Sequence, residues 1–173
     1  MMFRDLRADE IEVRVGQIKE NGLSLLLYKN ARCDMAILDE TVGPENWQRE
    51  HYECKGNLFC RVGIKCDGEW VFKSDCGTEP NTEKEKGEAS DSFKRACFNW
   101  GIGRELYTPI FIWIPNNENY KSYTSNGKIK TYDKFVIEKI KIENKRIVGL
   151  AIRNATLNKR VFVYTENNND SNS

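Results

Sequence analysis

The sequence predicts an α+β fold: an antiparallel, curved β-sheet with two helices packed on one side, in the order β-β-α-β-β-β-α, extended by a C-terminal β-hairpin. Three observations predict it. In residues 82–107, TEKEKGEASDSFKRACFNWGIGRELY, the apolar Ala89, Phe93, Ala96, Cys97 and Trp100 recur at three- and four-residue steps, the period of a helix with one buried stripe. Residues 46–76 read as three short strands separated by the turns Lys55-Gly56-Asn57 and Asp67-Gly68-Glu69, an antiparallel meander. Residues 135–153 alternate apolar with charged positions on both sides of Glu143-Asn144-Lys145, as a hairpin with one buried face does.

The elements run in order along the chain. Residues 11–19 alternate apolar with polar, Asn21-Gly22 is a hairpin turn, and residues 23–28 form a buried strand. The first helix spans residues 31–42, with Ala31, Met35, Leu38 and Val42 on its apolar face, and Gly43-Pro44 stops it. Strands at 46–54, 58–66 and 70–76 make the meander. Glu79-Pro80-Asn81-Thr82 then breaks the chain before the second helix, with Asn81 or Thr82 as N-cap, and Gly101-Ile102-Gly103 interrupts or ends that helix. In the hairpin, Val136, Ile140 and Ile142 share a parity with Val148, Leu150 and Ile152, while Lys139, Lys141 and Arg153 take the other. Residues 161–164 add an edge strand. The tail at 166–173 contains NNNDSNS, too polar to pack, and is expected to be disordered.

Composition bounds the function. A chain of 173 residues with 39% hydrophobic content can bury one core but hardly two, so residues 1–165 are expected to form a single domain. No apolar run approaches ~18 residues and no signal peptide opens the chain, which points to a soluble cytoplasmic protein. The six cysteines form no CxxC pair and His51 is the lone histidine, so a zinc set from Cys54, Cys60, Cys66 and His51 is a weaker reading than reduced core cysteines. A phosphate-binding GxxxxGK[ST] loop is missing, which argues against ATP-driven strand exchange. Glu53-x-Lys55 and Glu143-x-Lys145 each resemble half of a nuclease carboxylate/lysine set. Such fragments arise easily in a chain that is 31% charged. No catalytic residue, metal or cofactor is expected.

The net charge of +1 conceals an asymmetry. Residues 1–118 hold 16 Lys/Arg against 21 Asp/Glu, whereas residues 119–160 hold 11 against 3. A basic block so concentrated is an electrostatic footprint for a polyanion, and Tyr120, Tyr123, Tyr132 and Phe135 interleave it. The alternative is a set of lysines that keeps an exposed sheet soluble or blunts its edge. Opposite the apolar stripe of the second helix lie Lys84, Asp91, Lys94, Arg95 and Phe98. A large aromatic beside adjacent Lys-Arg suits a polyanion with stackable bases.

These residues also carry a resemblance. Glu88-Ala89-x-Asp91, x-x-Lys94-Arg95-Ala96, an aromatic and Gly101 resemble the second-helix motif of the Rad fifty-two and Rad twenty-two type single-strand annealing proteins. Short phage and bacterial members carry a run very similar to GEASDSFKRA-x-x-x-WGIGR-x-LY. Val42-Gly43-Pro44-Glu45-Asn46-Trp47, after Asn30-Ala31-Arg32, and the opening Ile11-Glu12-Val13-Arg14-Val15-Gly16 are similar to two further family segments. The three cover a family-like core at 10–108, leaving a basic β extension at 109–165.

The resemblance implies a non-enzymatic protein of homologous recombination and DNA repair in a bacterial or phage-infected cell. It would bind single-stranded DNA and anneal complementary strands without ATP, as a homo-oligomeric ring or filament, with a single-strand-binding protein or an exonuclease as possible partner. By the same resemblance Lys94 and Arg95 match the basic pair that grips the backbone, Arg14 a basic residue on the first strand, Tyr28 an aromatic of the groove and Lys86 a further cation. Phe98 departs from the family, standing where eukaryotic members place an arginine, and makes base stacking a substitute for charge. The basic hairpin with Lys139, Lys141 and Arg153 offers a second stretch of DNA path. Against these roles, Arg14 can pair with Glu12, Tyr28 can be a core residue, and Trp47, Trp70 and Trp100 read as core. A metal-dependent nuclease and a nucleic-acid-binding adaptor without annealing activity are the rival functions.

Overall fold

The computed structural model describes residues 2–77 and 84–166, except the side chains of Lys84, Glu85 and Lys86. The N-cap expected at Asn81 or Thr82, the tail at 167–173 and the side chain of Lys86 therefore lie outside the described residues. The fold is α+β, with antiparallel strand pairs and two α-helices. The order opens with β1 (Glu12–Lys19), β2 (Gly22–Tyr28), α1 (Ala31–Val42), β3 (Trp47–Cys54), β4 (Asn57–Cys66), β5 (Glu69–Cys76) and α2 (Lys84–Trp100). It continues with β6 (Ile112–Pro115), β7 (Tyr123–Ser125), β8 (Lys128–Lys130), β9 (Phe135–Glu143), β10 (Arg146–Asn154) and β11 (Lys159–Thr165). No helix among the described residues is long and apolar enough to cross a membrane.

Among the described residues the strands form three sheets, where the sequence reading expected one. Their residues group into two compact units, residues 2–5 with Asn30–Arg104, and Leu6–Lys29 with residues 105–166. This grouping cuts across the division at residue 108, because β1 and β2 belong with the basic C-terminal third. Periodicity assigns each strand a buried face but does not say which strand lies beside it.

The first unit is the sheet β3-β4-β5 with α2 laid across β4 and β5. Its core is Cys60, Val62 and Ile64 from β4 against Phe93, Ala96 and Cys97 from α2, all fully buried. Burial pushes the Cys60 thiol up to about 11, consistent with a cysteine acting as a small apolar side chain. Helix α1 begins where the Asn30 side chain accepts the Cys33 N–H at 3.0 Å, and Gly43 ends it at φ 85°. Its buried stripe is Cys33, Asp34, Ile37 and Leu38, rotated from the expected Ala31, Met35, Leu38 and Val42. Trp47 and Trp100 are half-buried and donate from the indole to Asp39 and to the Val62 carbonyl, whereas Trp70 is 41% exposed. Beside Trp70 on the outer face, Phe72 lies flat on Gly63, where a Cβ would come within 2.4 Å of the ring. Glycine is needed there for that close approach.

The second unit is a six-stranded antiparallel sheet in the order β11-β10-β9-β1-β2-β6. It curls until its edge strands β6 and β11 bring Cα atoms within 8 Å of each other. Leu23, Leu25, Ile112, Ile114, Phe135, Ile147, Leu150 and Ile152 fill its core. The expected C-terminal hairpin is thus an integral part of this sheet. Its parity also differs from the sequence reading: Phe135 and Ile137 are buried and Val136 is exposed. The register shifts at Glu138 and again at Val148, and each extra residue flips the faces of the strand beyond it. Strands β2 and β6 are direct neighbours, pairing Leu25 with Ile112, although Asn30–Arg104 of the helix-bearing unit come between them in sequence.

Candidate nucleic-acid interface

On the first unit, α2 places Lys94 and Arg95 half-buried on the face away from Phe93. Arg95 is not a free cation, because its Nε lies 3.5 Å from Asp75 Oδ1 on β5. Lys94 has no carboxylate partner among the described residues. Phe98, the expected stacking ring, is half-buried with a cation facing it. The Arg104 guanidinium lies 5.6 Å from its centroid, held by 3.0 Å hydrogen bonds to the Phe98 and Asn99 carbonyls. That arginine satisfies the last carbonyls of α2, as a cation at a helix C-terminus does.

On the second unit, the register of β1 with β2 sets Glu12 opposite Tyr28 and brings two expected site residues together. The Arg14 guanidinium stacks 4.9 Å from the Tyr28 centroid, while its Nε and Nη2 donate to Glu12. Both readings of Arg14 therefore meet in one place, and Tyr28 is 37% exposed, not a core residue. Next to it the sheet opens. Strand β1 pairs with β9 only at Val13 and Phe135, and a cleft of about 620 Å³ lies there, lined by Glu12, Arg14, Asp133 and Lys134 among others.

Lys139 and Lys141 flank a shallower groove of about 350 Å³ over β9, β10 and β11, together with Arg160 and Tyr164. Arg153 does not join them. It donates to Glu138 and Asn158 at 2.7 and 2.6 Å, because the bulge at Glu138 turns that carboxylate toward β10 and β11. Arg160 reaches the same carboxylate at 2.6 Å. The hydrogen bonds from Arg160 and Arg153 hold the Glu138 carboxyl down at about 2, from an ordinary 4.5. A carboxylate with a depressed folded-state value adds stability that is complete above pH ~4.5 and is lost as pH falls toward ~2. Acid unfolding should therefore be steeper across that window in the wild type than in Glu138→Gln. Equal pH dependences in the two proteins would show that the shared pair contributes nothing.

The remaining positive charge is distributed unevenly. Arg146 pairs with Glu166, Arg153 and Arg160 with Glu138, and Lys141 with Glu143. Lys121, Lys128, Lys130, Lys134 and Lys139 are exposed and have no carboxylate partner among the described residues. Four of those five lie on or beside the ribbon β7–β8, which the sequence reading missed. A signal for it was present: Asn126-Gly127 between short alternating runs, with φ 51° and 71°, as a two-residue I′ turn requires.

A buried hydrogen-bond hub anchors the ribbon at its base. Asn154, fully buried, donates to the Asn119 carbonyl at 2.9 Å and to Asp133 Oδ2 at 2.7 Å, and Asp133 Oδ2 also accepts the Lys121 N–H at 2.9 Å. Thr131 Oγ1 closes the other side by donating to the Lys121 carbonyl at 2.6 Å.

No group of three or more His, Cys, Asp or Glu side chains gathers for a metal among the described residues, so the Cys54, Cys60, Cys66 and His51 set is not assembled. Comparison with protein-family models, with curated proteins and with solved structures finds no match to this chain.

Proposed function

We propose that this protein binds single-stranded DNA and pairs complementary strands without ATP, as an oligomeric annealing protein similar to the Rad fifty-two type. The observation that carries the reading is the run of lysines from Lys121 to Lys139 that have no carboxylate partner among the described residues, beside the cleft lined by Arg14, whose guanidinium stacks on Tyr28. Cations already matched by carboxylates release few counterions when a phosphate approaches. Free lysines release one each, which is the sequence-independent source of nucleic-acid affinity. Arg14 stacked on a partly exposed tyrosine adds a surface that tolerates any base. Neither feature reads base identity, as suits a protein that leaves recognition to the complementary strand. The proposed ring or filament would align such surfaces along one strand.

The test is annealing of two complementary labelled oligonucleotides in chelator and without nucleotide, with solution mass measured beside it. Pairing should accelerate with the protein present, and the mass should correspond to several subunits, alone or with single strands. Strand cleavage that needs a divalent metal would establish the nuclease instead. Tight binding without faster pairing would leave only the adaptor reading.

A further inference from the structure

The ribbon β7–β8 has a property that charge does not explain. In its register Tyr123 lies opposite Lys130, and Ser125 opposite Lys128, so these side chains share one face. Tyr132, two residues beyond β8, folds back onto that face and stacks on Tyr123 at 4.5 Å between centroids and 14° between planes. Tyr123 is half-buried, yet Tyr132 is 81% exposed. The neighbouring Tyr132 phenol raises the Tyr123 phenol above its ordinary value of 10.0.

An exposed tyrosine held rigid by a partner ring has already lost the rotamer freedom that binding would otherwise cost. One face rests on Tyr123 and the other is open. Lys128 and Lys130 stand on the same face, with no carboxylate partner among the described residues. The hub of Asn154 and Asp133 fixes the ribbon to the sheet, so the platform is placed by the fold and does not swing freely.

We infer that β7–β8 is a base-stacking arm for single-stranded nucleic acid, in which Tyr132 takes an unpaired base on its open face while Lys128 and Lys130 hold the flanking phosphates. The inference rests on the proposed single-strand binding and deepens it by naming the element that distinguishes an unstacked base from bare backbone. A duplex hides its base faces, so Tyr132 favours single strands over duplex, which the lysines alone cannot do.

The test uses the full chain and three probes: an ordinary deoxyoligonucleotide, the same length with abasic sites, and a duplex. Tyr132→Ala should weaken binding of the ordinary strand about 5- to 150-fold, the range for one stacked base. Its affinity for the abasic strand and the duplex should stay at the wild-type level, as should its salt dependence. Tyr132→Phe keeps the ring and should bind nearly as wild type. Unchanged affinity of Tyr132→Ala for the ordinary strand overturns the inference, and so does an equal loss on ordinary and abasic strands. In both cases the broader reading stands as long as the wild type binds and anneals single strands; failure of the wild type to do so removes that reading itself.

Discussion

Replacing Lys121, Lys128, Lys130 and Lys134 together with alanine should lower affinity for single-stranded DNA on the order of 10²–10³-fold at about 0.1 M salt. The magnitude comes from counterion release. Each neutralised phosphate on a single strand contributes roughly 0.7 to the slope of log affinity against log salt, so four lost contacts should remove about 2.8 from it. The fold should survive. All four side chains are exposed and lack carboxylate partners among the described residues, and surface substitutions of that kind change stability by about 0.5 kcal/mol or less. Alanine at Arg146, Arg153 and Arg160 makes the control, because each already has a carboxylate beside it and should remove less of the slope. A salt slope equal to wild type after the four lysines are gone would move the phosphate path off this ribbon.

The second large effect is on stability. Phe93→Ala should cost about 3–5 kcal/mol, the usual range for deleting a buried phenyl ring. Phe93 is fully buried at the centre of α2's inner stripe, with Trp47 stacked 6.1 Å away and the Arg49 guanidinium 4.7 Å from its centroid. The cavity would open between a helix and a sheet that cannot easily collapse onto each other, since Cys60, Val62 and Ile64 already fill the facing strand. That loss is a large fraction of the ~5–15 kcal/mol by which domains are stable, so the denaturation midpoint should fall sharply. Binding should fail only where the variant unfolds. A change below about 1 kcal/mol would mean that α2 is held by contacts other than this stripe.

The contrast between these residues shows what local pattern can and cannot disclose. The span of α1 was legible because a helical period and a Gly-Pro stop agree within a few turns of chain. The inner stripe of α2 was legible for the same reason, and it is Phe93, Ala96 and Cys97 that the structure buries. The β9–β10 hairpin was legible as a hairpin, but its faces were not. One residue added at Glu138 and one at Val148 reverse the alternation, and nothing in the composition marks an extra residue. Strand β6 was missed because Ile112-Trp113-Ile114-Pro115 is too short for a period to register.

The site divides in the same way. Arg14 and Tyr28 could be nominated one by one, and strand register then brought them together. Arg95 could not be read as neutralised, because Asp75 belongs to a different element, a strand twenty residues earlier. The Arg104 contact with Phe98 could not be read, because Arg104 reaches the ring only after Gly101 and Gly103 turn the chain at φ 102° and 74°. Pairing across elements decides which cations remain available, and that information belongs to the tertiary fold.

The threading of one unit between β2 and β6 has a kinetic consequence. These neighbours are separated by roughly 80 residues, and closing so long a flexible loop would cost about 4 kcal/mol of chain entropy. The inserted unit reduces that cost if it folds first. Its sheet is built from two hairpins with turns at Lys55-Gly56 and Asp67-Gly68, contacts that are near in sequence and form quickly. Once collapsed it shortens the effective length of chain that the β2–β6 pairing has to close. Topology thus favours the local hairpins of both units first and the distant β2–β6 pairing last.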